Sequence, residues 1–115
     1  MAYLFSKFSP FGFALVLSYA SAPAATDTTL LVKAVYERGG SSSITSLTAN
    51  TDWNVDINGT VANPTAVTYN SGTGNYELTI PALSASQIVK TSIAGIVDKT
   101  GDGLYKSNTV TATVA

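Results

Sequence analysis

The stretch DWNVDINGTVANPTAVTYNSGTGNYELTIPAL, residues 52–83, decides the fold class, because its pattern is that of paired β-strands. Apolar and polar side chains alternate over residues 53–57, which is the period of two expected of a half-buried strand. The apolar members are Trp53, Val55 and Ile57. Asn58-Gly59 follows directly, and this dipeptide tolerates the positive φ angles of a type I′ turn. The sequence therefore predicts a hairpin that turns back over residues 60–62, with the three apolar side chains pointing inward.

A second hairpin is predicted further along the same stretch. The turn-forming run NSGTGN at residues 70–75 lies between VTY at 67–69 and YELTI at 76–80. The chain then closes with NTVTATVA at 108–115, which alternates as cleanly as the central strand. The inward members of these strands form the predicted core. They are Trp53, Tyr76, Leu78, Val110 and Val114.

Weaker patterns supply the remaining strands. TTLLVKAVYE at residues 28–37 predicts the first strand of the domain, and residues 44–49 predict a strand at a sheet edge. QIVKTSIAGIV at 87–97 is apolar on both faces, so it is either a strand covered on both sides or two strands broken near Gly95. About seven short strands at intervals of roughly 8 to 12 residues predict an all-β protein, an antiparallel β-sandwich.

Composition argues against several classes of function. Charged residues make up 11% of the 115 residues, with six basic and seven acidic side chains, so no field for steering nucleic acid is expected. The chain has no Cys and no His, which removes the commonest zinc ligands and the commonest general base. We therefore predict a protein that is not an enzyme and binds neither a cofactor nor nucleic acid.

The first 26 residues differ from the rest, because they hold all four Phe and Lys7 is their one charged residue. One interpretation is a retained apolar arm that docks on neighbouring subunits, followed by a domain at residues 27–115. The predicted assembly contacts are Phe5, Phe8, Phe11, Phe13, Leu15 and Leu17. The other interpretation is a secretory signal peptide with Ala22-Pro23-Ala24 as its cleavage site.

The two interpretations of this segment stay open on the sequence alone. Pro10 and Gly12 interrupt the apolar run, which weakens the signal peptide and makes the retained arm the leading interpretation. A membrane-spanning helix is the least favoured choice, since the uninterrupted apolar run falls well short of the ~20 residues required. No membrane span is therefore predicted.

A calcium loop is a weak candidate near the end of the chain. Asp98, Thr100 and Asp102, followed by Gly103, have the spacing of the first ligands of an EF-hand loop. Thr109 stands where that loop needs a bidentate Glu, and a strand follows where a helix is required. The pattern therefore favours a tight turn over a metal site.

Two further patterns have a functional and a structural interpretation. Asp52 and Asp56 share one predicted strand face, which suggests a carboxylate pair, but without a base or a cleft a solvated face is favoured. Asn58-Gly59-Thr60 is a glycosylation sequon by pattern, yet the same residues suit a type I′ turn. We predict the turn.

Two motifs resemble those of bacterial and bacteriophage immunoglobulin-like domains. GNYELTIP at residues 74–81 is similar to their G-x-Y-x-L-x-I-P segment. DKTGDG at 98–103, followed by SNTV at 107–110, resembles their late D-x-x-G turn and final strand. The resemblance covers residues 28–115, and this sequence lacks the Cys pair of antibody-type domains. The resemblance implies an Ig-like β-sandwich with a structural or adhesive function, and it implies no particular ligand.

These observations lead to two hypotheses on function. The leading one is a non-enzymatic structural protein of a virion or similar assembly, for instance a capsid decoration or tail component. In this hypothesis the protein is a homo-oligomer that docks through its arm. The alternative is a secreted or cell-surface subunit, pilin-like or adhesive, whose first ~25 residues are a cleaved signal peptide.

Overall fold

The computed structural model describes residues 13–37, 44–99 and 103–115, and these residues form a sandwich of two β-sheets. The side chains of residues 13, 98, 99, 103 and 104 are not described. One turn of 3-10 helix, Asn50–Asp52, interrupts the strands. The strands of the described residues are β1 (Phe13–Tyr19), β2 (Thr29–Tyr36), β3 (Trp53–Ile57), β4 (Thr60–Ala62), β5 (Ala66–Asn70), β6 (Asn75–Thr79), β7 (Ile88–Ile93), β8 (Val97–Lys99), β9 (Gly103–Ser107) and β10 (Val110–Thr113).

The two sheets differ in size and in strand direction. The six-stranded sheet has the order β5-β6-β2-β1-β9-β8, and the four-stranded sheet has the order β10-β7-β3-β4. All pairs are antiparallel except β1 with β9, which are parallel. The all-β prediction and the two-sheet sandwich are therefore confirmed, while the larger sheet is mixed.

One hydrophobic core lies between the sheets; two of its largest members, Trp53 and Tyr76, come from predicted strands, whereas Tyr105 lies in β9, which was not predicted. Four of the five predicted core residues are buried, and the fifth, Val110, is partly buried against the same cluster. The rings of Trp53 and Tyr76 meet across the sandwich with their centroids 5.2 Å apart. The Tyr69 ring also packs against Tyr76, with the two centroids 5.0 Å apart. The inward direction predicted for Trp53 is confirmed.

The hairpin between β3 and β4 closes as its turn residues predict. Asn58 has φ +51° and Gly59 has φ +93°, so both central residues are left-handed, as a type I′ turn requires. The Asp56 carboxylate accepts the Gly59 N–H at 2.7 Å and stabilises the turn. The second hairpin, between β5 and β6, pairs Asn70 with Asn75 around the predicted Gly-rich turn.

The edge strand predicted at residues 44–49 is not formed. Ile44 and Leu47 are both buried, and a spacing of three residues cannot place two side chains on one face of a strand. The backbone of this segment bonds to side chains instead. Trp53 Nε1 donates to the Leu47 carbonyl at 2.8 Å, and Tyr76 Oη donates to the Ile44 carbonyl. The 44–48 segment is thus an irregular part of the core, held by one aromatic residue from each sheet.

The apolar stretch at residues 87–97 forms two strands, β7 and β8, which belong to different sheets. The chain changes sheet around Gly95, whose φ of +69° is readily adopted only by glycine. The break near Gly95 was one of the two predicted alternatives, and it is the one the structure has.

The N-terminal part differs from the expected boundary between residues 26 and 27. β1 lies in the middle of the six-stranded sheet, antiparallel to β2 on one side and parallel to β9 on the other. Leu15 and Leu17 are each 2% exposed and belong to the core of their own chain. The folded unit therefore includes β1, and residues 1–12 lie outside the described part of the chain.

Candidate assembly site around the first strand

The first strand is held between β2 and β9 by backbone hydrogen bonds, and its inward side chains pack in the core. Leu15, Leu17 and Tyr19 alternate with Ala14, Val16 and Ser18, and the first set points into the sandwich. Because β1 has strands on both sides, its backbone bonds are made in two directions. The described chain therefore begins in a central strand of the sheet, and not at an edge.

Asn108 extends the pairing between β1 and β9 beyond the end of β9. The parallel register stops at Leu15 opposite Ser107. The Asn108 side chain then takes the place of a strand: its Oδ1 accepts the Leu17 N–H at 2.7 Å, and its Nδ2 donates to the Leu17 carbonyl at 3.4 Å. An amide side chain can satisfy both backbone groups because it carries a donor and an acceptor side by side.

Tyr19 connects β1 to the opposite sheet. Its hydroxyl lies 2.9 Å from the Thr91 hydroxyl, and it is also near the carbonyls of Val89 at 3.3 Å and Val110 at 3.4 Å. Thr91 is fully buried in β7, so this contact satisfies a hydroxyl that water does not reach. Burial raises the pKa of Tyr19 above its ordinary value, and the Thr91 hydrogen bond opposes part of that shift.

The outer face of the sheet carries an exposed apolar pair on β1 and β2. Val16 and Val35 lie directly opposite each other on β1 and β2, and they are 40% and 49% exposed. The next outward pair along these strands, Ser18 and Lys33, is polar. At the start of β1, Ala14 lies opposite Lys106 of β9, so the exposed apolar pair is a small patch between polar residues.

The predicted assembly contacts fall into three groups. Phe5, Phe8 and Phe11 lie outside the described residues, so their role stays a prediction. Phe13 is the first residue of β1, and its side chain is not described. Leu15 and Leu17 are in the core of their own chain, which differs from the expected contact with a neighbour. The sequence did not predict this burial, because a leucine that points into the core from a strand cannot be distinguished by pattern from a leucine in an apolar arm.

Of the three weak calcium candidates, only Asp98 lies in the described part of the chain. Asp98 lies in β8, where it pairs with Leu104 of β9, and Thr100 and Asp102 lie outside the described residues. Residues 13–37, 44–99 and 103–115 contain no cluster of three acidic, His or Cys side chains able to hold a metal ion.

The carboxylates of Asp52 and Asp56 both serve backbone turns. Asp52 Oδ2 accepts the Ala49 N–H at 3.1 Å, and Asp52 is 6% exposed. The prediction of a solvated face is therefore wrong for Asp52, because the 3-10 turn before β3 rotates this residue into the interior. Asp56 is half-buried and stabilises the β3–β4 turn described above.

The sequon residue is also part of the framework. Asn58 bonds to Ile88 twice: its backbone N–H donates to the Ile88 carbonyl at 2.9 Å, and its Oδ1 accepts the Ile88 N–H at 2.8 Å. Its side chain thus continues the pairing between β3 and β7, in the way Asn108 continues that between β1 and β9. The predicted turn at residues 58 and 59 is confirmed by its dihedral angles.

Comparisons with known proteins add no family to this description. In the described residues, no helix is long and apolar enough to cross a membrane. A scan against protein-family models and a search of curated proteins both found no match to the chain.

Proposed function

We propose that this protein is a non-enzymatic structural subunit of a virion or a similar assembly, an Ig-like sandwich that docks on neighbouring subunits through residues 1–12. The observation that carries the proposal is the position of β1 between β2 and β9. Phe5, Phe8 and Phe11 precede this strand within eight residues, so they are attached to a strand that is paired on both sides.

The position of β1 also favours the retained segment over the cleaved signal peptide. Cleavage after Ala24 would remove β1 and leave β2 and β9 without their shared neighbour. It would also remove Leu15 and Leu17 from the core and leave the buried Thr91 hydroxyl without Tyr19. A sandwich that depends on the strand in this way supports a mature protein that keeps it.

Three phenylalanine side chains can supply the docking energy. Burying them against a partner contributes about 4.5 to 9 kcal/mol gross, at ~1.5 to 3 kcal/mol each, before the costs of association are subtracted. Repetition of the contact in an assembly of many copies raises the overall strength further. The exposed Val16–Val35 pair adds apolar surface on the outer face of the first two strands.

The first test is mass spectrometry of the native protein. Trypsin cuts after Lys and Arg. Lys7 and Lys33 are consecutive sites of this kind, so a single peptide, residues 8–33, spans the potential signal-peptide cleavage site. We expect this peptide in the mature protein and in purified particles. A native chain that begins at Ala25 or Thr26 would replace the proposal with the secreted or cell-surface subunit.

The second test removes the segment without damaging the fold. A chain that begins at Phe13 keeps β1, so we expect it to unfold at the same denaturant concentration as the full chain but to be absent from the assembly. Changing Phe5, Phe8 and Phe11 to Ser should have the same effect, and changing them to Leu is the matched control that preserves apolar area. Normal incorporation of the Ser variant would contradict the proposal.

A further inference from the structure

The final strand, β10, has a free edge. It is the last strand of the four-stranded sheet, and among the described strands only β7 pairs with it. Such an edge presents backbone N–H and C=O groups to which another strand can bond, and natural edge strands are usually blunted by charges, prolines or short length. Residues 108–115, NTVTATVA, contain no charged residue, no proline and no glycine. The sequence of β10 therefore leaves its edge open to pairing.

The other three edge strands of the described sheets each have a protective feature. β8 carries the charged residues Asp98 and Lys99. β4 has only three residues, and Pro64 follows two positions after its end. β5 begins two residues after the same proline, and the Asn50 side chain donates to the Thr65 carbonyl beside its start at 2.9 Å. β10 is therefore the edge best suited to accept a further strand.

The bonds between β10 and β7 determine which backbone groups point to the free edge. The Val114 N–H donates to the Gln87 carbonyl at 2.8 Å, and the Val114 carbonyl accepts the Ser86 N–H at 2.9 Å. Alternate residues of an antiparallel strand bond to the same neighbour, so every second residue before Val114 also bonds to β7. The residues of β10 between them direct their N–H and C=O groups outward. These residues are Thr111 and Thr113.

The side chains of β10 suit pairing with a second copy of the same strand. Thr111 and Thr113 are exposed on the outer face, whereas Val110 and Ala112 on the other face are only partly buried. An antiparallel pair with Thr111 opposite Thr113 of the second copy places threonine against threonine and apolar against apolar side chains. Threonine pairs across strands are favourable, and the pair contains no like charges that repel. A second β10 is therefore a complementary partner for this edge.

We propose that β10 pairs with β10 of a second copy, so that two four-stranded sheets join into one sheet across a two-fold axis at Ala112. The contact is isologous, which is the commonest symmetry of protein dimers. Pairing over residues 109–115 supplies up to about eight backbone hydrogen bonds, and main-chain bonds give strand addition its affinity. The contact does not use residues 1–12, so it is separate from the docking segment of the proposed function.

A single cysteine at the two-fold axis tests this pairing and its register. The chain has no Cys, so an introduced thiol is the only one present. In the dimer, Ala112 faces Ala112 of the second copy as a non-hydrogen-bonded pair. The Cα atoms of such a pair are about 4.5 Å apart, which is within the range that a disulfide spans. We expect full-length Ala112→Cys to form disulfide-linked dimers under mild oxidation.

Val61→Cys is the matched control for chance collisions. Val61 is 58% exposed and also lies in an edge strand of the four-stranded sheet, β4, whereas Ala112 is only partly exposed. Random encounters therefore favour the thiol at position 61, and the proposed dimer favours the thiol at position 112. We expect a several-fold higher yield of linked dimers from Ala112→Cys. Equal yields, or a higher yield from Val61→Cys, would overturn the inference.

A proline at the free edge tests the backbone bonds. The Thr113 N–H points away from β7, so Thr113→Pro removes a donor of the free edge without removing a bond inside the sheet. We expect the native chain to sediment as a dimer and Thr113→Pro as a monomer, with the same circular dichroism spectrum. Thr113→Val keeps the N–H and the shape of the side chain, and it should remain a dimer. A monomeric native chain, or a dimer that persists in folded Thr113→Pro, would overturn the inference.

A variant of the first segment separates this inference from the proposed function. A full-length chain with Phe5, Phe8 and Phe11 changed to Ser should still sediment as a dimer, because β10 is unchanged. A dimer that is lost in this variant but kept in Thr113→Pro would overturn the β10 contact and support docking through residues 1–12. A β10 dimer that is absent from every purified particle would contradict the proposed function alone.

Discussion

Tyr76 and Tyr19 both send a hydroxyl group from the six-stranded sheet into the interior, but they stabilise different things. Tyr76 is fully buried, and its hydroxyl bonds to the backbone of the irregular 44–48 segment. Tyr19 is half-buried, and its hydroxyl bonds to the Thr91 side chain in the opposite sheet. The first contact replaces secondary structure that the chain does not form, whereas the second joins two elements that are already formed.

Trp53, like Tyr76, bonds to the backbone of the irregular 44–48 segment, and replacing it should give the largest loss of stability. Trp53→Ala removes a fully buried indole and its bond to the Leu47 carbonyl, so we expect the free energy of unfolding to fall by about 3 to 5 kcal/mol. Urea unfolding followed by circular dichroism measures the change. Val61→Ala, at an exposed position, is the control and should leave the midpoint unchanged. An equal, small effect of both substitutions would show that Trp53 is not a core residue.

Removing only the Tyr76 hydroxyl should have a smaller effect of the same kind. In Tyr76→Phe the ring remains, but the Ile44 carbonyl and the Leu47 N–H lose a buried partner. We expect a loss of about 1 to 3 kcal/mol. Amide hydrogen exchange should speed up more at the Leu47 N–H than at the amides of β6. Tyr69→Phe is the matched control, because Tyr69 contacts the Tyr76 ring and no side-chain hydrogen bond of its own is described. Equal losses in the two variants would count against the role of the hydroxyl.

The Tyr19 contact should show coupling between the two sheets. Tyr19→Phe leaves the buried Thr91 hydroxyl without this partner, and we expect it to cost about 1 to 2 kcal/mol. Thr91→Val removes the other hydroxyl of this contact. The double variant should lose less free energy of unfolding than the two single variants lose together, because an apolar pair of similar shape needs no hydrogen bond. Strict additivity of the two losses would mean that the contact contributes nothing.

The smallest expected effect is on the pH dependence of stability. Burial raises the pKa of Tyr19 in the folded state, so the folded protein holds this proton more tightly than the unfolded chain. The associated stability is complete below pH 10.0, the ordinary value, and is lost as the pH rises through the raised folded pKa. We expect stability of the native chain to fall more steeply above that pH than stability of Tyr19→Phe. Parallel curves would contradict the assignment.

Local chemistry explains which parts of the fold the sequence predicts. The β3–β4 turn is encoded by Asn58 and Gly59, which can adopt the required angles, and the inward direction of Trp53 follows from alternation. Neither depends on a distant residue. The same holds for the hairpin of β5 and β6. In these stretches the pattern and the turn residues agree, so the structure could be read from them.

The parts that the sequence does not predict depend on distant contacts. β1 alternates as β3 does, but its outward Val16 and the small residues that follow resemble a signal peptide, and one of its partner strands, β9, lies near the other end of the chain. Residues 44–48 have apolar spacing unlike a strand, and the aromatic groups that hold them come from β3 and β6. For the candidate site, Asn108 gave no signal at all, because its role is defined only by the position of Leu17.

The parallel pairing of β1 with β9 determines how the molecule responds to tension. A force applied to the N-terminal segment pulls β1 toward its start, while a force applied at Ala115 pulls the chain of β9 and β10 toward its end. Two parallel strands drawn in opposite directions slide past each other, so their hydrogen bonds share the load and rupture together. Pulling from the turn at Gly59 would instead open the β3–β4 hairpin one bond at a time. Single-molecule force measurements should therefore give a higher rupture force through the chain ends than through that hairpin.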